Sequence, residues 1–216
     1  NKTATLRWNH EFNNKLFLNT TVMYNDYNFT FSGGQESFQV KFFSGIKDWS
    51  GKFDLDYYSK FNHNFKFGGQ YTYHTFTPTT VSGEAAGVAF EPDQSFNKYA
   101  HEAALYALDE FDLGSKIKVN VGLRYSNFRQ IGPYTRYTYD QNDVKNDSTV
   151  YAPGEVAKSY GGFEPRFNIR YTVNETSSLK LSVAKTYQYL HLVTNNGSTL
   201  PTDIWSPSTY FVRPQM

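Results

Sequence analysis

Residues 163–173 read FEPRFNIRYTV: odd positions carry Phe, Pro, Phe, Ile, Tyr and Val, and Glu164, Arg166, Asn168, Arg170 and Thr172 stand between them. A period of two marks a strand with two unlike faces, and no helical spacing runs through the stretch. Two architectures produce it. In a soluble sandwich the apolar side packs on a core and the charged side meets water. In a membrane barrel the apolar side meets lipid and the charged side lines an aqueous lumen. The stretch alone fits both.

Composition narrows the choice. Aromatic residues make up 19% of the 216 residues, although only 39% are hydrophobic and the mean hydropathy is −0.61. Membrane barrels combine aromatic belts with a polar lumen in this way; an aromatic-rich, carbohydrate-binding β-sandwich is the soluble alternative. A net charge of +1 gives no nucleic-acid footprint. The absence of Cys excludes a disulfide scaffold, a thiolate metal site and a Cys nucleophile, and suits an exported bacterial barrel. No run approaches ~18 apolar residues, so no transmembrane helix is expected. The start, NKTATLRWNH, lacks the pattern of a signal peptide. No signal peptide is expected in residues 1–216.

The same alternation recurs along the chain. Ala4, Leu6 and Trp8 alternate with Thr5 and Arg7; Leu16 to Tyr24 repeats the pattern before a loop at SGGQES. Phe53, Leu55 and Tyr57 oppose Asp54 and Asp56, and Phe65, Phe67, Tyr71 and Tyr73 oppose Lys66, Gln70 and His74, ahead of a long connection over residues 78–95. Tyr99 to Phe111 is apolar on both sides and its facing is ambiguous. Ile117 to Tyr125 alternates almost without fault and leads to a polar stretch over 140–162; after residues 163–173 come Leu179, Leu181, Val183, Tyr187 and Tyr189 on one face, interrupted by Lys185. Eight strands result, of ten residues or more, joined by connections that are alternately short and long. Sandwich loops have no reason to alternate with strand parity, whereas outer-membrane barrels pair short periplasmic turns with long extracellular loops. The expected fold is all-β: an antiparallel, up-and-down transmembrane β-barrel wall of about eight strands. A self-contained eight-stranded barrel with a structural or adhesion role is the alternative within the membrane class.

No catalytic chemistry is expected. Ser44 with Lys47, and Ser177 with Lys180, match S-x-x-K but lack the partner motifs of serine acylases. Asp54 and Asp56 share a strand face, as a glycosidase pair could, yet they suit a polar lumen better. The five His, at 10, 63, 74, 101 and 191, show no metal-binding spacing, so neither a metal nor a cofactor is expected and the chain is read as a non-enzyme.

The stretches YALDEFDLGSKIKVNVGLRYSNF, EPRFNIRY, QYLHL and PTDIWSPS, in that order and followed by PQ, resemble the barrel of TonB-dependent outer-membrane receptors from about Gln70 onward. The resemblance implies that residues 1–216 form one partial β-barrel segment, with no plug domain, of a barrel of about 22 strands, integral to the bacterial outer membrane. Such a receptor binds a scarce nutrient (siderophore, cobalamin, oligosaccharide or peptide) at its extracellular loops and imports it with inner-membrane energy. Its partners would be outer-membrane lipid, the plug domain and remaining barrel strands of the same receptor, TonB acting through that plug, and a surface lipoprotein. On the parity assignment Asp54, Asp56, His74, Arg124, Glu164, Arg166 and Arg170 face the lumen and plug. Ligand contacts are expected from the outer connections, at Tyr134, Arg136, Tyr137, Tyr139, His191, Trp205 and Tyr210, where aromatic and Arg side chains concentrate; packing of loops on one another is the plainer role for the same rings.

Overall fold

A computed structural model describes residues 1–35, 38–59, 61–85, 87–90, 97–193 and 204–216. In chain order the strands are β1 (Lys2–Asn13), β2 (Leu16–Gln35), β3 (Phe38–Tyr58), β4 (His63–Ala85), β5 (Val88–Phe90), β6 (Lys98–Leu113) and β7 (Ile117–Ile131). There follow β8 (Tyr134–Tyr139), β9 (Lys145–Tyr151), β10 (Val156–Asn174), β11 (Ser177–Ala184), β12 (Leu190–Val193) and β13 (Ile204–Pro207). Among the described residues there is no helix.

Eight strands form one antiparallel path, β1-β2-β3-β4-β6-β7-β10-β11, with β5 alongside the outer part of β4. Neighbours in sequence are neighbours in space, because short turns hold successive strands in hairpin register. β1 and β11 stand at the two edges and do not pair with each other, so the eight strands make an open arc, not a closed barrel. β8 with β9, and β12 with β13, form separate two-stranded sheets.

Directly opposed residues share a face, so the register sorts every side chain. One row runs Asn9, Asn19, Asp54, Gly68, Tyr106, Arg124, Glu164. The adjacent row, on the other face, runs Trp8, Thr20, Phe53, Gly69, Leu105, Tyr125, Phe163. The ambiguous strand is thereby oriented: Leu105 lies on the apolar face and Tyr106 on the charged one.

No second sheet covers the apolar face among the described residues. Phe167 is 39% exposed, Leu181 58% and Val183 62%, which overturns the sandwich reading, where these side chains would be sealed in a core. Along this face, aromatic residues recur eight positions apart on a strand: Trp49 and Tyr57, Tyr73 and Phe65, Phe163 and Tyr171. At ~3.4 Å per residue that is ~27 Å of strand. Tilted by ~40°, it rises ~20 Å, close to the ~25 Å apolar band between the aromatic belts of an outer-membrane barrel.

Four expectations are corrected. Strands β2 and β3 stay paired from Leu16↔Tyr57 to Gln35↔Phe38, so much of SGGQES is strand. The stretch 78–85, expected as connection, is paired to β3 as far as Ala85↔Phe38; residues 91–95 of that connection lie outside the described ones. Both follow from Thr, Val and Phe, whose branched and aromatic side chains suit a pleated surface even beyond the membrane. Likewise β10 begins at Val156 and β9 occupies Lys145–Tyr151 within the stretch 140–162 expected as a polar loop. The fourth concerns Tyr187 and Tyr189. The β11 ladder ends at Ala184, beside the pattern-breaking Lys185, and the chain crosses to the charged face. Tyr189 is buried there, 3% exposed, in a cluster with Ile46, Phe76, Ala100 and Phe128. Gly162 makes room for this crossing, since a Cβ there would collide with the Tyr187 ring.

Candidate functional site: the charged face

The charged face divides into two parts. Toward the short turns, charged side chains satisfy one another, along one strand and between neighbours. Lys52 Nζ lies 2.9 Å from Asp54 Oδ2, and the Tyr106 hydroxyl donates a short hydrogen bond to the other oxygen of Asp54. Lys66 Nζ lies 3.2 Å from Asp56 Oδ1, and Asn19 Nδ2 donates to Asp56 Oδ2 at 3.4 Å. These carboxylates are therefore occupied, each by a Lys, and have no free geometry for acid–base work on a glycoside. Arg170 shares its row with Lys118 and Lys180 and, among the described residues, joins no carboxylate; Lys118 instead reaches Glu110 at 2.8 Å.

Glu164 sits where the two parts meet. It is buried, accepts a hydrogen bond from Ser126 Oγ at 2.5 Å, and has Arg124 Nε at 3.7 Å and Arg166 Nη2 at 4.0 Å. Ser126 Oγ in turn lies 2.8 Å from the Tyr189 hydroxyl. A buried carboxylate without such donors would cost several kcal/mol, so the Ser–Tyr pair and the two guanidiniums explain why Glu164 is tolerated.

Toward the long connections the face turns apolar, with one polar insert. His74 Nδ1 lies 2.7 Å from Asp48 Oδ1, and its Nε2 is 3.7 Å from Glu102 Oε2. Around it, Phe128 stacks on Tyr189 at 5.2 Å and 10°, and Tyr189 on Tyr187 at 6.2 Å. The chain beyond β11 is the cover. Ser208 N donates to Tyr189 O at 2.7 Å, the Tyr160 hydroxyl donates to Thr209 O at 2.7 Å, and Trp205 meets Tyr27 edge-on at 6.4 Å. His191 Nε2 pairs with Ser208 Oγ at 3.0 Å, and burial pushes the His191 pKa below its ordinary 6.5.

All seven residues expected to face a lumen thus fall on one face, and six of them, Asp54, Asp56, His74, Arg124, Glu164 and Arg166, lie in its ionic contacts. The outer candidates scatter. The guanidinium of Arg136 sits 4.8 Å above the Tyr210 ring and donates to Thr149 Oγ1 at 3.2 Å, while Tyr134 stacks on Tyr151 at 6.2 Å. Tyr137 and Tyr139 alternate to the opposite side of the β8–β9 hairpin, where Lys145 Nζ lies 3.6 Å from the Tyr137 ring and Tyr139 is exposed. His191 and Trp205 are packed within the cover. Sequence reasoning missed Lys52, Lys66, Tyr106, Ser126 and Tyr189. The two Lys were legible from parity alone, whereas Tyr106 hid in the strand that is apolar on both faces.

Among the described residues no group of three His, Asp or Glu is placed to hold a metal ion. The profile of the TonB-dependent receptor-like β-barrel family matches residues 1–211. Two crystal structures of the ferric-catecholate import receptor Fiu from E. coli K12 have a similar fold. The open form is 18% identical with a TM-score of 0.55, over 84% of this chain and 34% of that one. The closed form is 17% identical with a TM-score of 0.58, over 92% and 35%. The chain spans about a third of the length of these receptors. None of the curated proteins matches it in sequence.

Proposed function

The chain belongs to the TonB-dependent receptor β-barrel family, and from that premise we propose that it is one arc of the wall of a receptor in the bacterial outer membrane. The receptor takes up a scarce nutrient, a siderophore, cobalamin, an oligosaccharide or a peptide, and draws on inner-membrane energy through TonB and a plug domain. The observation that carries this reading is the pairing of two unlike faces on one open sheet: an uncovered apolar face with aromatic residues at membrane spacing, and a charged face whose lower part is lined by Asp54, Asp56, Arg124, Glu164 and Arg166. At hydrocarbon depth, charges on a barrel wall are stable only on the lumen side, and a folded plug offers them hydrogen-bonding partners. Ligand contact is assigned to Arg136, Tyr137, Tyr139 and Tyr210 on the outer side, because the three rings are exposed and the half-buried Arg136 guanidinium lies against the Tyr210 ring. His191 and Trp205 are assigned to holding the cover in place.

The test is import by cells expressing the full-length receptor, using labelled ferric catecholate, cobalamin, oligosaccharide and peptide, with and without TonB. Accumulation of one of them only when TonB is present is the expected result. Import of none, or import indifferent to TonB, overturns the reading. The wall itself is tested separately by two adjacent Lys substitutions. Phe167→Lys costs about 2–4 kcal/mol at the bilayer midplane, whereas Asn168→Lys, one residue on and facing the lumen, leaves outer-membrane assembly unchanged.

A further inference from the structure

The apolar face is not uniformly convex. Between Phe53, Leu105 and Tyr125 lies a groove of about 910 Å³, floored by Gly51 and Gly69. A Cβ at Gly69 would meet Phe53 Cε1 at 2.6 Å and Leu105 Cδ2 at 3.0 Å, so these two side chains lean over its floor, whereas at Gly51 a Cβ would meet nothing within 4 Å. The groove therefore opens at Gly51 and is roofed at Gly69.

Its outer end is polar, which is unusual for a face turned toward lipid. The Tyr71 hydroxyl lies 2.6 Å from His101 Nδ1. Beside it Arg129 donates from Nε to Asn127 Oδ1 at 2.8 Å, and its register neighbours on either side are His101 and Ser159, neither of them acidic. An exposed Arg oriented by Asn127 and lacking a carboxylate partner among the described residues presents its fork to an external anion, and a phosphate matches that fork in two hydrogen bonds. Arg129 lies near the long-connection end of β7, just above Tyr125, at the height of the outer headgroups on the membrane placement given above.

We infer that this groove is a specific site for a phosphate-bearing lipid of the outer leaflet, with an acyl chain along Gly51 and Gly69 and the phosphate on Arg129 and His101. A free phosphate has nothing to fill the apolar trough, and a phosphate-free lipid leaves Arg129 unpaired; the site joins the two chemistries. The inference rests on the membrane reading of the apolar face.

Native mass spectrometry of the intact receptor, extracted from outer membranes in mild detergent and titrated with a diphosphorylated, multiply acylated lipid A, provides the test, with a phosphate-free diacylglycerol and inorganic phosphate as comparison probes. The lipid A is expected to stay bound through detergent exchange. Arg129→Gln weakens its retention about fivefold, the worth of one basic side chain near a lipid surface. Gly51→Leu, whose Cβ meets nothing within 4 Å, fills the open end and weakens it at least as much. Equal retention in both variants, equal retention of the phosphate-free diacylglycerol, or binding of inorganic phosphate alone overturns the inference and leaves the membrane reading intact. A wild-type receptor that does not partition with outer membranes overturns both. Arg129→Gln changes one exposed side chain, so a folding failure of Gly51→Leu does not remove the test.

Discussion

The two parts of the charged face solve the same problem in opposite ways. Toward the long connections the chain fills its own interior: Tyr187, Tyr189 and Trp205 fold back over Ile46, Phe76, Ala100 and Phe128, and apolar contact with stacked rings holds them. Toward the short turns none of the described residues beyond β11 lies on the sheet, and Asp54 pairs with Lys52 along β3 while Asp56 pairs with Lys66 on β4. Apolar residues on the lumen side of a wall thus mark where the wall supplies its own filling. Paired charges mark the area left for a separate occupant, the plug of the proposed receptor.

This contrast breaks first at Phe128. It is fully buried, and Phe128→Ala is expected to lower stability by about 3–5 kcal/mol, measured as the urea midpoint of the intact receptor in detergent. A loss below about 1 kcal/mol would mean that the upper part is no packed core. A smaller effect is expected at the junction. Glu164→Gln takes the charge from Arg124 and disturbs the Ser126–Tyr189 link, costing about 1–3 kcal/mol. Because that link ties the cover to the wall, limited proteolysis within residues 187–209 should accelerate while the heat-modified gel mobility of the barrel stays the same; equal protection would disconnect Glu164 from the cover.

Acid probes the cover more gently. The folded pKa of His191 lies below 6.5 because burial disfavours its charged form, so the neutral ring stabilises the packed segment fully above pH 6.5. That stabilisation is lost as the pH falls from 6.5 through the folded value, where the unpacked form takes up a proton first. Proteolysis of the cover should therefore quicken on acidification, and His191→Gln should remove the pH dependence. The smallest change in stability belongs to the lower part. Asp56 and Lys66 form a partly exposed pair, worth about 0–1 kcal/mol, so Asp56→Asn should leave the urea midpoint unchanged. If the lower part serves a plug, import should fall in the same variant, and unaltered import would argue that these charges only solvate a wall.

Residues 163–173 carried the faces of the sheet with no tertiary information, because a side-chain period of two is a property of any extended chain. Loop parity likewise placed the short turns, as at Glu175–Thr176, where hairpin geometry leaves little choice. Strand ends were less legible. Residues 78–85 have the composition of a connection, but β3 offers them a paired edge, and backbone hydrogen bonding outweighs the local turn preference of Pro78 and Gly83. The error at Tyr187 and Tyr189 has a related origin. Counting by twos keeps assigning faces after the ladder has stopped, and Lys185 on the apolar side was the visible sign that it had.

The sequence by itself determined that this protein is a wall with one apolar and one charged face, since alternation and aromatic content are local quantities that no partner strand can change. Tertiary structure alone decided that the arc stays open at β1 and β11, that Glu164 meets Ser126 and Tyr189, and that the last segment covers half of the charged face. Those facts join residues 38 and 63 positions apart, and a distance of that kind is fixed by register and by the space left at Gly162, neither of which is written in any short stretch of the chain.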